Sequence, residues 1–483
     1  MNSLKPMLLT SLKSYDRSQF VKDVTAGIIV AIIALPLSIA LALASGVGPE
    51  AGIFTAIVAG FVISALGGSS VQIAGPTAAF ATIVAGIVAK DGLDGLVIST
   101  ILAGIFLILM GLCHFGSLIK FIPYTITTGF TSGIAVTIVI GQLKDFFGVT
   151  YPDGVKPIET TEKFKAFIEN ISTMNTAALI VGIVSLAILI ISPVIFKKIP
   201  GSLIAVIVGI LMVKFLPLKV STIGNLYTIS NSLPAFHLPA VNLHIIENAL
   251  PNAFTIAILA AIESLLSCVV ADGMINGKHR SDMELVAQGA GNIASALFGG
   301  IPATGAIART AANIKNGGRT PVAGMVHSIT LVIVLVVLMP YAGMIPMPTI
   351  AAILFVVAYN MCQWRTFKQL VETAPKSDIL VLVVTFALTV IFDLVVAIEI
   401  GMVLACLLFI KRMSEETRAE SWVYADDDSE TVDETLRKLP KEIRVYEISG
   451  PLFFGAADII EHIVIEDFAK CLVLRMRAVN ALD

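Results

Sequence analysis

Long apolar runs recur from Val24 to Ile410, separated by short polar turns. One membrane crossing needs roughly 20 apolar residues. By that measure the first half of the chain predicts spans at roughly 24–45, 50–67, 95–113, 124–142, 174–196 and 200–216. The second half predicts spans at roughly 250–272, 283–298, 321–339, 347–363, 378–392 and 394–410. Two further stretches are apolar but broken. The first is GGSSVQIAGPTAAFATIVAGIVAK, where about 14 apolar residues follow Pro76, too few to cross alone. It predicts a short extended VQIA and a half-helix over 76–89, with Pro76 in the first helical turn. The second covers residues 301–314, with a half-helix starting near Ala306. Counting both, the chain carries about fourteen membrane elements.

Topology follows from the basic residues. With the N-terminus inside, Lys120, Lys197, Lys198, Lys278, Arg280, Lys315, Arg319, Arg365, Lys368, Lys376, Lys411 and Arg412 all fall on the cytoplasmic side. The opposite loops are short and mostly uncharged, as the positive-inside rule requires. The exception is 143–173, whose lysines are mixed with acidic residues. Both termini are therefore expected in the cytoplasm.

The chain also repeats itself. AGFVISALGG begins at Ala59 and AGNIASALFG at Ala290, 231 positions later. Each copy leads into a broken segment. Gly and Ala enrichment in membrane helices accounts for part of the match. The shared order of full helix, glycine and broken helix argues for a repeat. Seven elements, an odd number, separate the copies, so the second inserts upside down. Inverted repeats that meet at broken helices are an architecture of secondary transporters, with the substrate at the midplane.

Composition agrees. The chain is 56% hydrophobic and 14% charged, with mean hydropathy +0.91, against about 25% charged residues in soluble domains. A net charge of −3 leaves no nucleic-acid footprint. The five cysteines lack CxxC spacing, so neither a zinc site nor a disulfide framework is indicated. No metal, cofactor or enzymatic chemistry is expected. Residues 1–23 read as a cytoplasmic arm without a signal peptide. Residues 24–412 form the membrane domain, with repeat one over about 24–216 and repeat two over about 250–410. Residues 413–440 read as a polar linker. Residues 441–483 read as two soluble strands, marginal for an independent core, so the chain is expected to stop within that domain.

The chemistry gathers at the broken segments. Each half-helix leaves backbone N–H groups unpaired at a partly positive end. Two such ends meeting at the midplane make a cradle for an anion. Gly75, Pro76, Thr77 and Ala78 form one side; Ala306, Ile307, Ala308 and Arg309 form the other. Small residues let the anion approach the backbone, and Thr77 and Thr304 offer hydroxyls. Phe80 either lines the pocket or packs. Arg309 attracts the anion, or else snorkels to the surface. Glu263, in ILAAIESLLSCVV, is a carboxylate at membrane depth, with Ser267 one turn away. It suits proton uptake, Na⁺ binding or a fixed structural hydrogen bond, with H⁺ ahead of Na⁺ as the coupling ion. Glu399 is a second intramembrane carboxylate with either an interdomain or a structural role.

These stretches resemble a known family. ALPLSIALALASGVGPEAGI, QIAGPTAAF, FTSGIAVTI, AAIESLLSCVVADGM, ELVAQGAGNI and ATGAIARTAANIKNGG are similar to the SulP family, the bacterial side of the solute carrier 26 anion transporters. The motifs AAIESLL, ATGAIART and GPLFFGAA look most like its DauA-type C4-dicarboxylate branch. The resemblance implies an all-α polytopic fold of seven plus seven inverted-repeat segments, with UraA-like core and gate domains. Segments 1–4 and 8–11 form the core, segments 5–7 and 12–14 the gate, and the tail is a truncated α/β STAS domain. It implies a homodimer in the bacterial inner membrane that carries sulfate, bicarbonate or a C4-dicarboxylate by an elevator-like movement. It assigns the anion site to Gly75–Ala78 and Ala306–Arg309 and the coupling role to Glu263. Ala308 stands where some animal members carry serine, which sets this site apart from theirs.

Overall fold

The computed structural model describes residues 4–117, 123–152, 155, 157–195, 200–216, 218–230, 232–239, 243–392, 394–416, 418–422, 442–452 and 469–481. Lys120, Lys197, Lys198 and most of the GPLFFGAA motif lie outside them. The chain forms two compact units: Met1–Pro375 with Leu382–Glu399, and Lys376–Val381 with Ile400–Asp483.

The first unit opens with α1 (Met7–Ser11) and α2 (Arg17–Ala44). Asp16 starts α2 by accepting from Gln19 N at 2.7 Å, so the helix begins well before the apolar run. α3 (Pro49–Leu66) carries proline in its first turn, where a missing N–H costs nothing. β1 (Ala74–Gly75) leads into α4 (Ala78–Leu112). α4 is two helices joined at Gly92, whose φ of 72° and ψ of −170° only glycine adopts easily. The first half-helix therefore starts two residues later than the sequence predicts. Pro76 lies outside the helix, and Thr77 is the N-cap residue.

α5 (Tyr124–Phe147), α6 (Thr160–Glu169), α7 (Thr176–Ile195), α8 (Gly201–Phe215) and α9 (Ile223–Leu226) follow. The second half holds α10 (Leu243–Ile275), α11 (Ser281–Leu297), β2 (Thr304–Gly305), α12 (Ile307–Lys315), α13 (Val322–Ala342), α14 (Met347–Cys362), α15 (Trp364–Thr373), α16 (Lys376–Ile391) and α17 (Leu394–Glu416). Eight helical stretches among the described residues are long and apolar enough to cross a membrane. The molecule is mostly helical and polytopic.

Packing within this unit falls into two sets. α2, α3, α4, α10, α11, α12 and α13 pack on one another, and α5, α7, α8 and α14 do the same. Small residues permit the closest crossings. Where α4 meets α11, a Cβ on Gly104 would stand 2.7 Å from Gly289 O, and one on Gly289 would stand 2.4 Å from Gly104 O. In the second set, Ser185 and Thr349 share a hydrogen bond at 2.9 Å between α7 and α14.

The N-terminal arm is not loose. Met7 N donates to Gly67 O at 2.8 Å, and Arg280 donates to Lys5 O and Thr10 Oγ1 at 2.7 and 2.9 Å. Asp23, fully buried, accepts from Tyr15 OH, Gln19 Nε2, Arg319 N and Thr320 Oγ1 at 2.6–3.0 Å. One carboxylate thus joins the arm to the start of α13.

The second unit contains β3 (Arg418–Trp422), β4 (Ile443–Ser449) and β5 (Cys471–Ala478), in the order β3-β4-β5. β3 runs antiparallel to β4, with Arg418 opposite Ser449, and β4 runs parallel to β5. This corrects the polar-linker reading for its described part, and residues 423–440 lie outside the described residues. α17 continues to Glu416, and residues 418–422 are a strand, because backbone pairing with β4 satisfies a polar sequence as well as an apolar one.

Candidate functional site

The two broken segments cross. β1 and β2 pair antiparallel, Ala74 opposite Gly305 and Gly75 opposite Thr304, and Ala306 N donates to Ile73 O at 2.9 Å. From this crossing β1 passes through Pro76 and Thr77 into α4, and β2 passes through Ala306 into α12. The unpaired N–H groups of both helices therefore start at one place. Neither N-cap residue, Thr77 or Ala306, caps its helix with a side chain.

Thr77 gives its hydroxyl to Glu263 instead. Oγ1 lies 3.0 Å from Glu263 Oε2, which arrives from the middle of α10. Arg309 is 2% exposed, so it does not snorkel to the surface. Its Nη2 donates to Pro76 O, while its Nε and Nη1 have no hydrogen-bond partner. Gly75 makes room for this. A Cβ there would stand 2.4 Å from Arg309 Nη1. Glu263 and Arg309 thus reach different parts of the first broken segment, Thr77 and Pro76.

The other expected residues divide. Ile307 and Ala308 are exposed, Ala78 and Ala306 are buried, and Phe80 is fully buried as a packing residue. Ser267 turns away from Glu263 and lies 3.5 Å from Thr310 Oγ1, which in turn accepts from Ile73 N at 3.0 Å. Ser267 therefore braces the crossing. The Thr304 hydroxyl is also spoken for, since it donates to Ala260 O at 3.1 Å. The side chain of Glu399 lies outside the described residues.

Several residues that hold the crossing were not expected from the sequence. Glu284, buried in α11, accepts from Gly68 N, Ser69 N, Gln72 Nε2 and Gln288 Nε2 at 2.9–3.1 Å. Gln72 Oε1 receives the Cys268 thiol at 2.5 Å. Asn292 clasps Ala303 through both backbone groups, and Asn313 donates to Val71 O. The signal was present in ELVAQGAGN. A Glu, a Gln and an Asn four residues apart fall on one face of a helix among apolar and small residues.

Two helix N-termini, a buried guanidinium with two unpartnered nitrogens and a carboxylate bonded to a hydroxyl make this crossing the candidate anion site of a polytopic membrane protein. Comparison with known proteins gives the same class. Residues 20–385 match the Sulfate permease family. The chain is 41% identical to "Putative sulfate transporter YvdB" of Bacillus subtilis (strain 168), covering 98% of this chain and 88% of that one. It is 33% identical to "Bicarbonate transporter BicA" of Picosynechococcus sp. (strain ATCC 27264 / PCC 7002 / PR-6), covering 91% and 79%. Among solved structures, the transmembrane domain of a cyanobacterium bicarbonate transporter BicA aligns with a TM-score of 0.70 at 29% identity, over 81% of this chain and 98% of that one. Murine Solute Carrier 26 family member A9 shares the fold, with a TM-score of 0.87 at 20% identity over 99% and 84%.

The chain belongs to the sulfate permease family of anion transporters. Its relatives are transporters, not enzymes. The C4-dicarboxylate resemblance rests on the sequence motifs alone.

Proposed function

We propose that this chain is a secondary active transporter that moves a small anion across the bacterial inner membrane, driven by proton uptake at Glu263. One observation carries the reading: the N-termini of α4 and α12 open at a single strand crossing where Thr77 also holds Glu263. The anion sits against the N–H groups of Ala78 and of Ala308 and Arg309. Arg309, against Gly75 and Pro76, offers its unpartnered nitrogens and positive charge to the anion, and exposed Ile307 and Ala308 form a wall. Sulfate, bicarbonate and C4-dicarboxylates all fit such a cradle, and the relatives' names favour the first two.

The two packing sets support a core that carries the site past a gate in an elevator-like movement, while the apolar runs and the distribution of basic residues support fourteen segments with both termini cytoplasmic. The gate set is the dimerising part, and β3–β5 belong to a STAS domain. The test is uptake of radiolabelled sulfate, bicarbonate and fumarate into proteoliposomes under imposed pH and Na⁺ gradients. The reading expects at least one anion to accumulate with an inward proton gradient. Accumulation that needs Na⁺, or exchange that ignores both gradients, overturns the proton coupling.

A further inference from the structure

A threonine hydroxyl has one hydrogen to donate, and an ionised carboxylate can only accept. With Thr77 Oγ1 3.0 Å from Glu263 Oε2, a charged Glu263 holds that hydrogen. Thr77 is also the N-cap residue of α4, and its side chain takes none of the helix N–H groups. The hydroxyl therefore stands at the anion cradle with its only hydrogen committed elsewhere. Protonation changes the direction of this bond. A neutral Glu263 carries its own O–H and can donate it to Thr77 Oγ1. The threonine hydrogen is then free to rotate toward an anion at the helix end. One proton arrives on the carboxylate, the hydrogen bond between the same two oxygens reverses, and no other bond is made or broken.

We propose that Thr77 is the relay between proton and anion: its single hydroxyl hydrogen serves Glu263 when the carboxylate is charged and the anion when it is protonated. The proposal rests on the proton-coupled reading above and gives it an order, proton first.

The other charged and titratable groups on α10 and on the elements packed against it either have partners of their own or stand at the ends of their helices. α4, α11, α12 and β2 pack against this helix. On α12, Arg309 reaches Pro76 O, and Lys315 sits in the last turn. On α11, Glu284 is held by Gly68, Ser69, Gln72 and Gln288, and Asp282 lies in the first turn with His114. On α4, Lys90 and Asp91 stand at the far end of the half-helix and Asp94 beyond its Gly92 kink, roughly 18 Å or more from Ala78 at 1.5 Å per residue. On α10 itself, Cys268 bonds Gln72, Asp272 bonds His279, and Glu247 is near the N-terminal end. Thr77 is thus the group through which Glu263 touches the cradle.

The competing account is charge alone: an ionised Glu263 repels the anion whether or not Thr77 is present. The two separate in KM measured at about pH 6 and about pH 8, since the pH dependence of transport reports the protonation of the coupling group. Full-length wild type, Thr77→Val and Thr77→Ser are compared in proteoliposomes with radiolabelled sulfate, or with fumarate if sulfate is not carried. The relay predicts a wild-type KM about tenfold or more higher at the upper pH. Thr77→Val should show a raised KM at the lower pH and a ratio between the two pH values near one, with kcat largely kept. Thr77→Ser, which keeps the hydroxyl and reports that the fold survives, should restore the ratio. A Thr77→Val protein with the full wild-type ratio overturns the relay and leaves proton coupling standing. A wild type whose KM ignores pH overturns both.

Discussion

Ala74 and Gly305 face each other across the β1–β2 pair, and they stand 231 positions apart. That is the spacing that relates AGFVISALGG to AGNIASALFG. Equivalent positions of an inverted repeat meet only on the axis that relates them. The bond from Ala306 N to Ile73 O then mirrors the pairing of Gly75 with Thr304. By the same spacing Thr77 corresponds to Ala308 and Ala78 to Arg309. The two halves of the cradle share a backbone but not a chemistry. One presents a hydroxyl at the position before the other presents a charge.

Arg309 is expected to supply binding energy. Charge-assisted hydrogen bonds contribute about 1.5–3 kcal/mol, or about 10–100-fold in affinity. Arg309→Gln should raise KM for the transported anion by that factor. Arg309→Lys should recover only part, because an ammonium lacks the planar fork that reaches Pro76 O and the site together. A wild-type KM in Arg309→Gln would make the residue purely structural.

Gly75 and Gly305 separate function from folding. A Cβ at position 75 meets the tip of Arg309, so Gly75→Ala should displace the guanidinium and cut uptake several-fold. A Cβ at position 305 would overlap Gln72, itself tied to Glu284 and Cys268. Gly305→Ala should therefore cost about 1–3 kcal/mol of stability, as overpacking does. Thermal melting in detergent checks both. Equal melting losses for the two variants would contradict this division.

Glu284 is expected to be a keystone of stability. Its two oxygens accept from two backbone and two side-chain donors. Truncation leaves buried donors unsatisfied at about 1–3 kcal/mol each. Glu284→Ala should melt well below wild type, and Glu284→Gln should fall between them. An unchanged melting temperature in Glu284→Ala would rule out this role.

The N-terminal latch predicts an alkaline dependence. Burial, and then the hydrogen bond to Asp23, push the Tyr15 hydroxyl up to about 12 from 10.0. The folded state therefore holds this proton more tightly than the unfolded one. Its contribution is complete below pH 10 and is lost as the pH rises toward 12. Melting followed across that window should fall more steeply for wild type than for Tyr15→Phe. Parallel curves would show that the latch does not involve this proton.

Most of the helices were legible because a membrane span is marked by length and hydropathy alone. The broken segments were legible for the complementary reason: glycine, proline and a charge interrupt an apolar run. Side-chain direction was less so. Ser267 shares a face with Glu263 by helical spacing, yet it meets Thr310, because the two broken segments lie against neighbouring turns of α10, Thr77 at Glu263 and Thr310 at Ser267. Arg309 was ambiguous because its depth depends on where α12 begins. Ala306 as N-cap puts the guanidinium inside. Asp23 and Glu284 stand near the ends of apolar runs, where a charged residue carries no sequence signal of burial. Only their distant partners, Thr320 and Gln72, reveal them as buried. β3 hid in a polar stretch because its partner strand comes later in the chain.

The most direct measurement is anion uptake into proteoliposomes by wild type and Glu263→Gln with an inward proton gradient, then without it. Coupling through Glu263 predicts accumulation above equilibrium for wild type that collapses with the gradient. Glu263→Gln should exchange the anion between the two sides but not concentrate it at any gradient. A Glu263→Gln protein that accumulates anion in response to the pH gradient as wild type does would contradict the account.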